Sequence, residues 1–197
     1  MLVLLVIADP LEDSFSHLLA RRAEEGLLAG GHEVIVLDLY DQGFQVAMSS
    51  EERAAYHDDE PICDPMVAEH VAIIQRAEAV VFVYPTWSSG LPAILKGWFE
   101  RVMVPGVAFR FDERTGKVRP ALGNVRRIVG ISSYACSRRH MRVLNDNGRR
   151  TITRAFRVNT GFGTRTRWFG FYDSTESTES RRAEFAALVE REMAELR

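Results

Sequence analysis

Five short apolar runs, alternating with stretches of helical periodicity, constrain this chain more than any other feature. The first is LVLLVIA, Leu2 to Ala8, without a single polar residue. A strand is apolar at every position only when both its faces are covered, as in a parallel strand between two helical layers. The others are HEVIVLDL, AVVFVYP, RRIVGISSY and RTRWFGFYD. Phe15, Leu18, Leu19, Ala23 and Leu27 form one helical stripe after the first run, and Gly30-Gly31 stops it. Strands alternating with helices predict an α/β three-layer sandwich with a five-stranded parallel sheet. A chain of 197 residues is enough for one full core, so a single domain over 1–197 is expected. Five strands favour the order 2-1-3-4-5, with any site beyond the carboxyl ends of the strands.

The remaining segments follow from local signals. DQGFQVAMSSEERAAYHDDEPICDP is polar and turn-rich, with a short helix capped by Ser50. A helix is expected over about Val67–Arg76. Leu91, Ile94, Leu95, Trp98, Phe99 and Val102 share one helical face, with Pro92 in the first turn. Cys136 to Gly148 reads as a long loop, followed by a helix from about Thr151. A last helix begins after Ser177 or Thr178 and buries Phe185, Leu188, Val189, Met193 and Leu196.

Charge and cysteine content exclude several function classes. A formal net charge of -2 gives no global basic field for nucleic acid. Cys63 and Cys136 show no CxxC spacing, so neither a zinc site nor a disulfide framework is expected, and Cys136 reads as a partly buried thiol. The apolar N-terminus lacks a basic flank and a cleavage site, and falls short of the roughly 20 residues that span a bilayer. No membrane insertion and a reducing, cytoplasmic setting are expected.

Three loops should meet at the sheet edge: DPLEDSFS, PTWSSG and SSYACSRRH. The first enters a helix N-terminus, where free N–H groups and the dipole favour an anion, while Asp13 or Ser14 equally serves as a cap. It contains no GxGxxG, which argues against a Rossmann dinucleotide site. The second offers backbone N–H groups, two hydroxyls and the indole of Trp87, which either covers the sheet edge or stacks on a ligand. Trp98 and Phe99 lie on the helix stripe and belong to the core.

YPTWSSGLPAILKGWFERV, followed by PGVAFRF, resembles the NAD(P)H:quinone oxidoreductase family of flavodoxin-like flavoproteins. The likeness extends to DSFS after the first strand, to GHEVIVLDLYDQGF and to the hydroxyl-rich loop after the fourth strand. It implies a flavodoxin-like fold and a flavin, FAD with FMN as the alternative. NAD(P)H is then the co-substrate and a quinone or similar electrophile the acceptor, in a homodimer with flavin at the interface. It also implies that Ser14, Phe15 and Ser16, with Asp9 before them, hold the flavin's phosphate side. Pro85, Thr86, Trp87, Ser88, Ser89 and Gly90 then wrap the ring, and Ser132, Ser133, Tyr134 and Ala135 meet its pyrimidine edge. Tyr134 and His140 are the candidate catalytic groups that steady charge on ring or substrate.

The chain departs from the family pattern in three places. Asp9 replaces a common His, and with Glu12 and Asp13 it crowds carboxylates where a phosphate is expected. Ser88 replaces a large aromatic, and Ala135-Cys136 replaces a frequent Gly pair. The arginines at 138, 139, 142, 149, 150, 154 and 157 read either as a solvated face or as an anion site for the 2′-phosphate of NADPH. Two other roles suit the same fold: a non-enzymatic regulatory subunit, as in relatives on potassium-efflux systems, and a scaffold without flavin.

Overall fold

The computed structural model describes residues 1–58 and 61–197, so Asp59 and Glu60 of the polar stretch lie outside the described residues. The strands are β1 (Leu2–Ile7), β2 (Glu33–Asp38), β3 (Ala79–Pro85), β4 (Phe109–Phe111), β5 (Val118–Pro120), β6 (Arg127–Ser133) and β7 (Arg165–Phe171). The helices are α1 (Phe15–Ala29), α2 (Ser50–Ala55), α3 (Pro65–Ile74), α4 (Ala93–Val102), α5 (Arg138–Val143), α6 (Asn147–Arg150), α7 (Arg157–Thr160) and α8 (Glu179–Ala194). Five parallel strands lie in the order β2-β1-β3-β6-β7, which is the expected 2-1-3-4-5. β4 and β5 form a separate antiparallel hairpin that the sequence patterning missed, because strands of three residues carry no readable period.

The central strands β1, β3 and β6 are buried on both faces, for the reason their composition suggested, whereas the edge strands β2 and β7 are only partly buried. Val3, Leu5 and Ile7 pack toward α1 and α8, with Leu19, Ala23, Val189 and Met193. Leu4, Val6 and Ala8 pack on the other side, with Val67 and Ile74 of α3 and Leu95, Trp98 and Val102 of α4. Each fully buried Leu or Val contributes about 1.5–3 kcal/mol relative to exposure. α1 and α8 approach closely because position 26 is glycine: a Cβ there would lie 2.1 Å from the Glu190 carbonyl oxygen.

Local boundaries differ from expectation by a residue or two. Ser49, not Ser50, caps α2; its hydroxyl accepts from Glu52 N–H while the Glu52 carboxylate accepts from Ser49 N–H, a capping box. Pro92 is the cap residue of α4 and lies outside its first turn, with its fixed φ at -55°. Thr178 caps α8 through Arg181 N–H, as expected. The segment 136–148 is not one loop but carries α5 and α6, capped by Ser137 and Asp146. The expected helix from Thr151 is a π-helical turn, Thr151–Phe156, that continues into α7. Cys136, like Cys63, is exposed and not partly buried.

Arg101, only 4% exposed, ties the irregular stretch before α3 to α4. Its guanidinium donates to Glu52 at 2.8 Å, to Asp64 at 2.9 Å and to the Gln45 carbonyl at 2.6 Å. Below it, buried His70 accepts the Trp98 indole N–H at Nδ1 (3.1 Å), and its Nε2 lies 3.0 Å from Gln42 Oε1.

Candidate functional site

The carboxyl ends of β1, β3 and β6 meet at one edge. β3 and β6 stay paired to their last residues, Tyr84 opposite Ser132 and Pro85 opposite Ser133. Beyond them Thr86 N–H donates to the Ser133 carbonyl at 2.8 Å, and the Thr86 and Ser132 hydroxyls lie 2.8 Å apart. Tyr134 N–H donates to the Phe171 carbonyl at 2.8 Å, and the Phe171 ring sits 4.9 Å from that of Phe15. Thus Thr86 meets Ser132 and Ser133, while Phe15 and Tyr134 both contact Phe171.

The first loop is held by its own carboxylate. Asp9, 7% exposed, accepts Leu11 N–H at Oδ1 (3.1 Å), whereas Glu12 and Asp13 are exposed. Ser14 caps α1 through His17 N–H at 3.2 Å. The amides of Phe15 and Ser16 have no acceptor among the described residues, which leaves the donors that a helix start ordinarily offers. His17 and Asp38 were missed at the sequence level. His17 Nε2 lies 2.7 Å from Asp38 Oδ2 and Nδ1 lies 3.2 Å from Ser14 Oγ. The legible signal was a His in the first turn behind a Ser cap; its partner on β2 arrives only through the fold.

The second loop is strained. Ser88 and Ser89 both have positive φ, 46° and 61°, and Gly90 N–H closes the turn on the Trp87 carbonyl at 2.9 Å. Two consecutive left-handed residues describe a type I′ turn, usually filled by Asn-Gly or Gly-Gly. Serine there costs about 1–2 kcal/mol per residue, the kind of strain that gathers at ligand sites. Trp87 leads into this turn 45% exposed, which is unusual for the largest apolar side chain in a tight loop.

The third loop runs inward. Tyr134 is 1% exposed; its hydroxyl donates to Asp146, 3.2 and 3.3 Å from the two carboxylate oxygens, and its ring stacks on Tyr172 at 4.4 Å. Burial, reinforced by the Asp146 charge, pushes its phenol well above the ordinary range. Asp146 is held in the left-handed region with Asn145, φ 42° and 73°, and burial pushes its carboxyl up. Asp146, Tyr172 and the buried Tyr84, whose hydroxyl has no partner among the described residues, surround Tyr134 and were not foreseen. They lie on three separate elements, so no local pattern announces them. Ala135 is exposed. His140 stands on the exposed surface of α5, apart from this cluster, and its side chain makes no hydrogen bond among the described residues.

Comparison with known proteins follows the same lines. A family model described as flavodoxin-like fold matches residues 1–162. NAD(P)H dehydrogenase (quinone) 1 of Rattus norvegicus is 31% identical over 123 residues, 55% of this chain and 45% of that protein. A protein of Haemophilus influenzae named as an NAD(P)H oxidoreductase is 35% identical over 99 residues, 50% of this chain and 48% of its own length. The chain therefore spans about half the length of the curated relatives it matches. Among solved structures, an NAD(P)H:quinone oxidoreductase from Methanothermobacter marburgensis superposes with a TM-score of 0.84 at 26% identity, covering 100% of this chain and 99% of that one.

Proposed function

This chain belongs to the flavodoxin-like fold family, and on that footing we propose that it is a flavin-dependent NAD(P)H oxidoreductase acting on a quinone or similar electrophile. The observation that carries the proposal is the second loop: a half-exposed Trp87 beside a strained Ser88-Ser89 turn at the topological switch point. The named activity of the relatives, quinone reduction with NAD(P)H, supports it.

The residues present fit a flavin. The free Phe15 and Ser16 amides and the α1 dipole suit its phosphate, and the Asp9 carboxylate is occupied with shaping the loop. Trp87 offers a flat apolar face; Ser88, Ser89 and Gly90 offer backbone donors, with Pro85 and Thr86 setting their position. Ser133 and Ala135 would meet the polar edge of the ring, while Ser132, closed to solvent and bonded to Thr86, holds the second loop in place from beneath. The chemistry supplied by a bound flavin is two-electron hydride relay from NAD(P)H to the acceptor. Tyr134, buried and bonded to Asp146, positions the third loop rather than touching substrate. His140 is assigned the outer polar contact with the acceptor. FAD is the proposed form, the protein is proposed to act as a cytoplasmic homodimer, and no helix among the described residues is long and apolar enough to cross a membrane.

An absorbance spectrum tests this. Purified protein is incubated with FAD and separately with FMN, freed of excess, and scanned; NADPH-dependent quinone reduction is then measured. Retained flavin bands and flavin-dependent turnover are expected. A protein that retains neither flavin overturns the reading and favours the flavin-free scaffold.

A further inference from the structure

Five arginines, Arg138, Arg142, Arg149, Arg150 and Arg154, line one cavity of about 230 Å³ beside Tyr172. They come from α5, α6 and the π-helical turn, separate in sequence and brought to one wall. None of the five guanidinium groups has a carboxylate or carbonyl partner among the described residues. By contrast Arg22, Arg101, Arg119 and Arg167 are all paired with carboxylates. One carboxylate stands in the cavity wall among the described residues, Asp146; its charge acts on Arg149 and Arg150, while its oxygens accept from Tyr134 Oη and the Arg149 backbone N–H. Five guanidinium groups against one carboxylate leave an excess of positive charge, and an anion in their midst relieves the repulsion among them.

The backbone here is built away from regular geometry. The π-helical turn begins immediately after α6, and such turns recur at functional sites. Thr151 and Thr153 donate their hydroxyls back to the Asn147 and Arg149 carbonyls, one turn earlier. This turn sets Thr153 and Arg154 on the same wall as Arg149 and Arg150. Asn145 and Asp146, both left-handed, bend the chain so that α5 closes the other side.

We propose that this cavity binds the dianionic phosphate of a phosphomonoester. Guanidinium forks match phosphate oxygens two at a time, and the several donors suit a group carrying two charges. The cavity is open to solvent on one side, so a phosphate can sit among the guanidinium groups while its carrier extends outward. The cavity adjoins the third loop, through Arg138 in its wall and through Tyr172, which stacks on Tyr134. The 2′-phosphate of NADPH is one source of such a group, an assignment that rests on the oxidoreductase reading; a free phosphorylated metabolite is the other.

Calorimetric titration of the full chain with adenosine 2′-monophosphate, adenosine and inorganic phosphate tests the site, and NADPH against NADH identifies its source. The nucleotide is expected to bind at least about tenfold tighter than adenosine, and more weakly as salt rises. The exposed pair Arg150→Ala/Arg154→Ala should lose about tenfold or more, Arg150→Lys/Arg154→Lys should lose less, and Arg139→Ala, which lies off the cavity, should lose nothing. A preference for NADPH over NADH that the Ala pair abolishes assigns the dinucleotide. Phosphate binding without that preference supports the site with a different carrier. Equal affinity for adenosine and its 2′-phosphate, or full binding by a folded Ala pair, overturns the proposal. A protein that retains no flavin yet binds the 2′-phosphate overturns only the oxidoreductase reading.

Discussion

The indole N–H of Trp98 donates to Nδ1 of His70 at 3.1 Å, in a site where both side chains are essentially closed to solvent. This requires an unprotonated Nδ1, and with Nε2 directed at Gln42 it fixes one neutral tautomer. Burial holds the imidazole below its usual pKa, despite the nearby charges of Glu69 and Asp64 that act the other way.

Stability should therefore depend on this histidine at mildly acidic pH. The folded-state pKa lies below the unfolded value of about 6.5, so the unfolded chain takes up more protons beneath that pH. The contribution is full above about pH 6.5 and is lost as pH falls below it. Urea unfolding at several pH values should show this slope in wild type, and His70→Gln should flatten it. An unchanged slope in the variant would place the titration elsewhere.

Arg101 should matter at every pH near neutrality. Arg101→Met leaves Glu52, itself 6% exposed, as a buried charge without its partner. Breaking such a pair costs about 3–5 kcal/mol. Arg101→Lys should lose less, because it keeps the charge but not the fork that reaches Glu52, Asp64 and the Gln45 carbonyl. Denaturant midpoints of the two variants give the comparison.

Gly97 inverts a common rule. Replacing a mid-helix glycine by alanine ordinarily stabilises by about 1 kcal/mol. Here a Cβ would lie 2.3 Å from the Val46 carbonyl oxygen and 2.7 Å from Val46 Cγ1. The clash is with backbone, which cannot rotate away, so Gly97→Ala should destabilise by about 1–3 kcal/mol. A thermal melt that moves upward would show that the 39–49 segment yields freely.

The second loop separates stability from binding. Ser88→Gly and Ser89→Gly should each stabilise the fold by up to about 1 kcal/mol, since glycine adopts positive φ without strain. Trp87→Ala should change stability by no more than about 0.5 kcal/mol, because the side chain is exposed. Its flavin retention should fall by about tenfold, as expected for loss of a stacking aromatic. Equal flavin affinity in Trp87→Ala would assign the indole to covering the sheet edge instead.

The sheet was legible because its signal is local. An all-apolar run such as Leu2–Ile7 needs cover on both faces, and only a parallel strand between helices supplies it. The caps were legible to within one residue, Asp13 or Ser14 and Ser177 or Thr178, and the core stripe with Trp98 was legible for the same reason: each is fixed by neighbours within about one turn. The loops that meet at the strand ends followed from sheet order alone, and Thr86 does meet Ser132 there.

What lay outside the sequence's reach depends on partners distant along the chain. Sequence spacing alone determined a five-stranded parallel sheet, its helical cover and which loops share an edge. Only the tertiary structure decided that Tyr134 turns inward onto Asp146, that His17 finds Asp38 across the sheet edge, and that five scattered arginines face one cavity. The physical reason is the range of the interactions: periodicity and capping are set by covalent neighbours, whereas burial and charge pairing are settled only when separate elements pack.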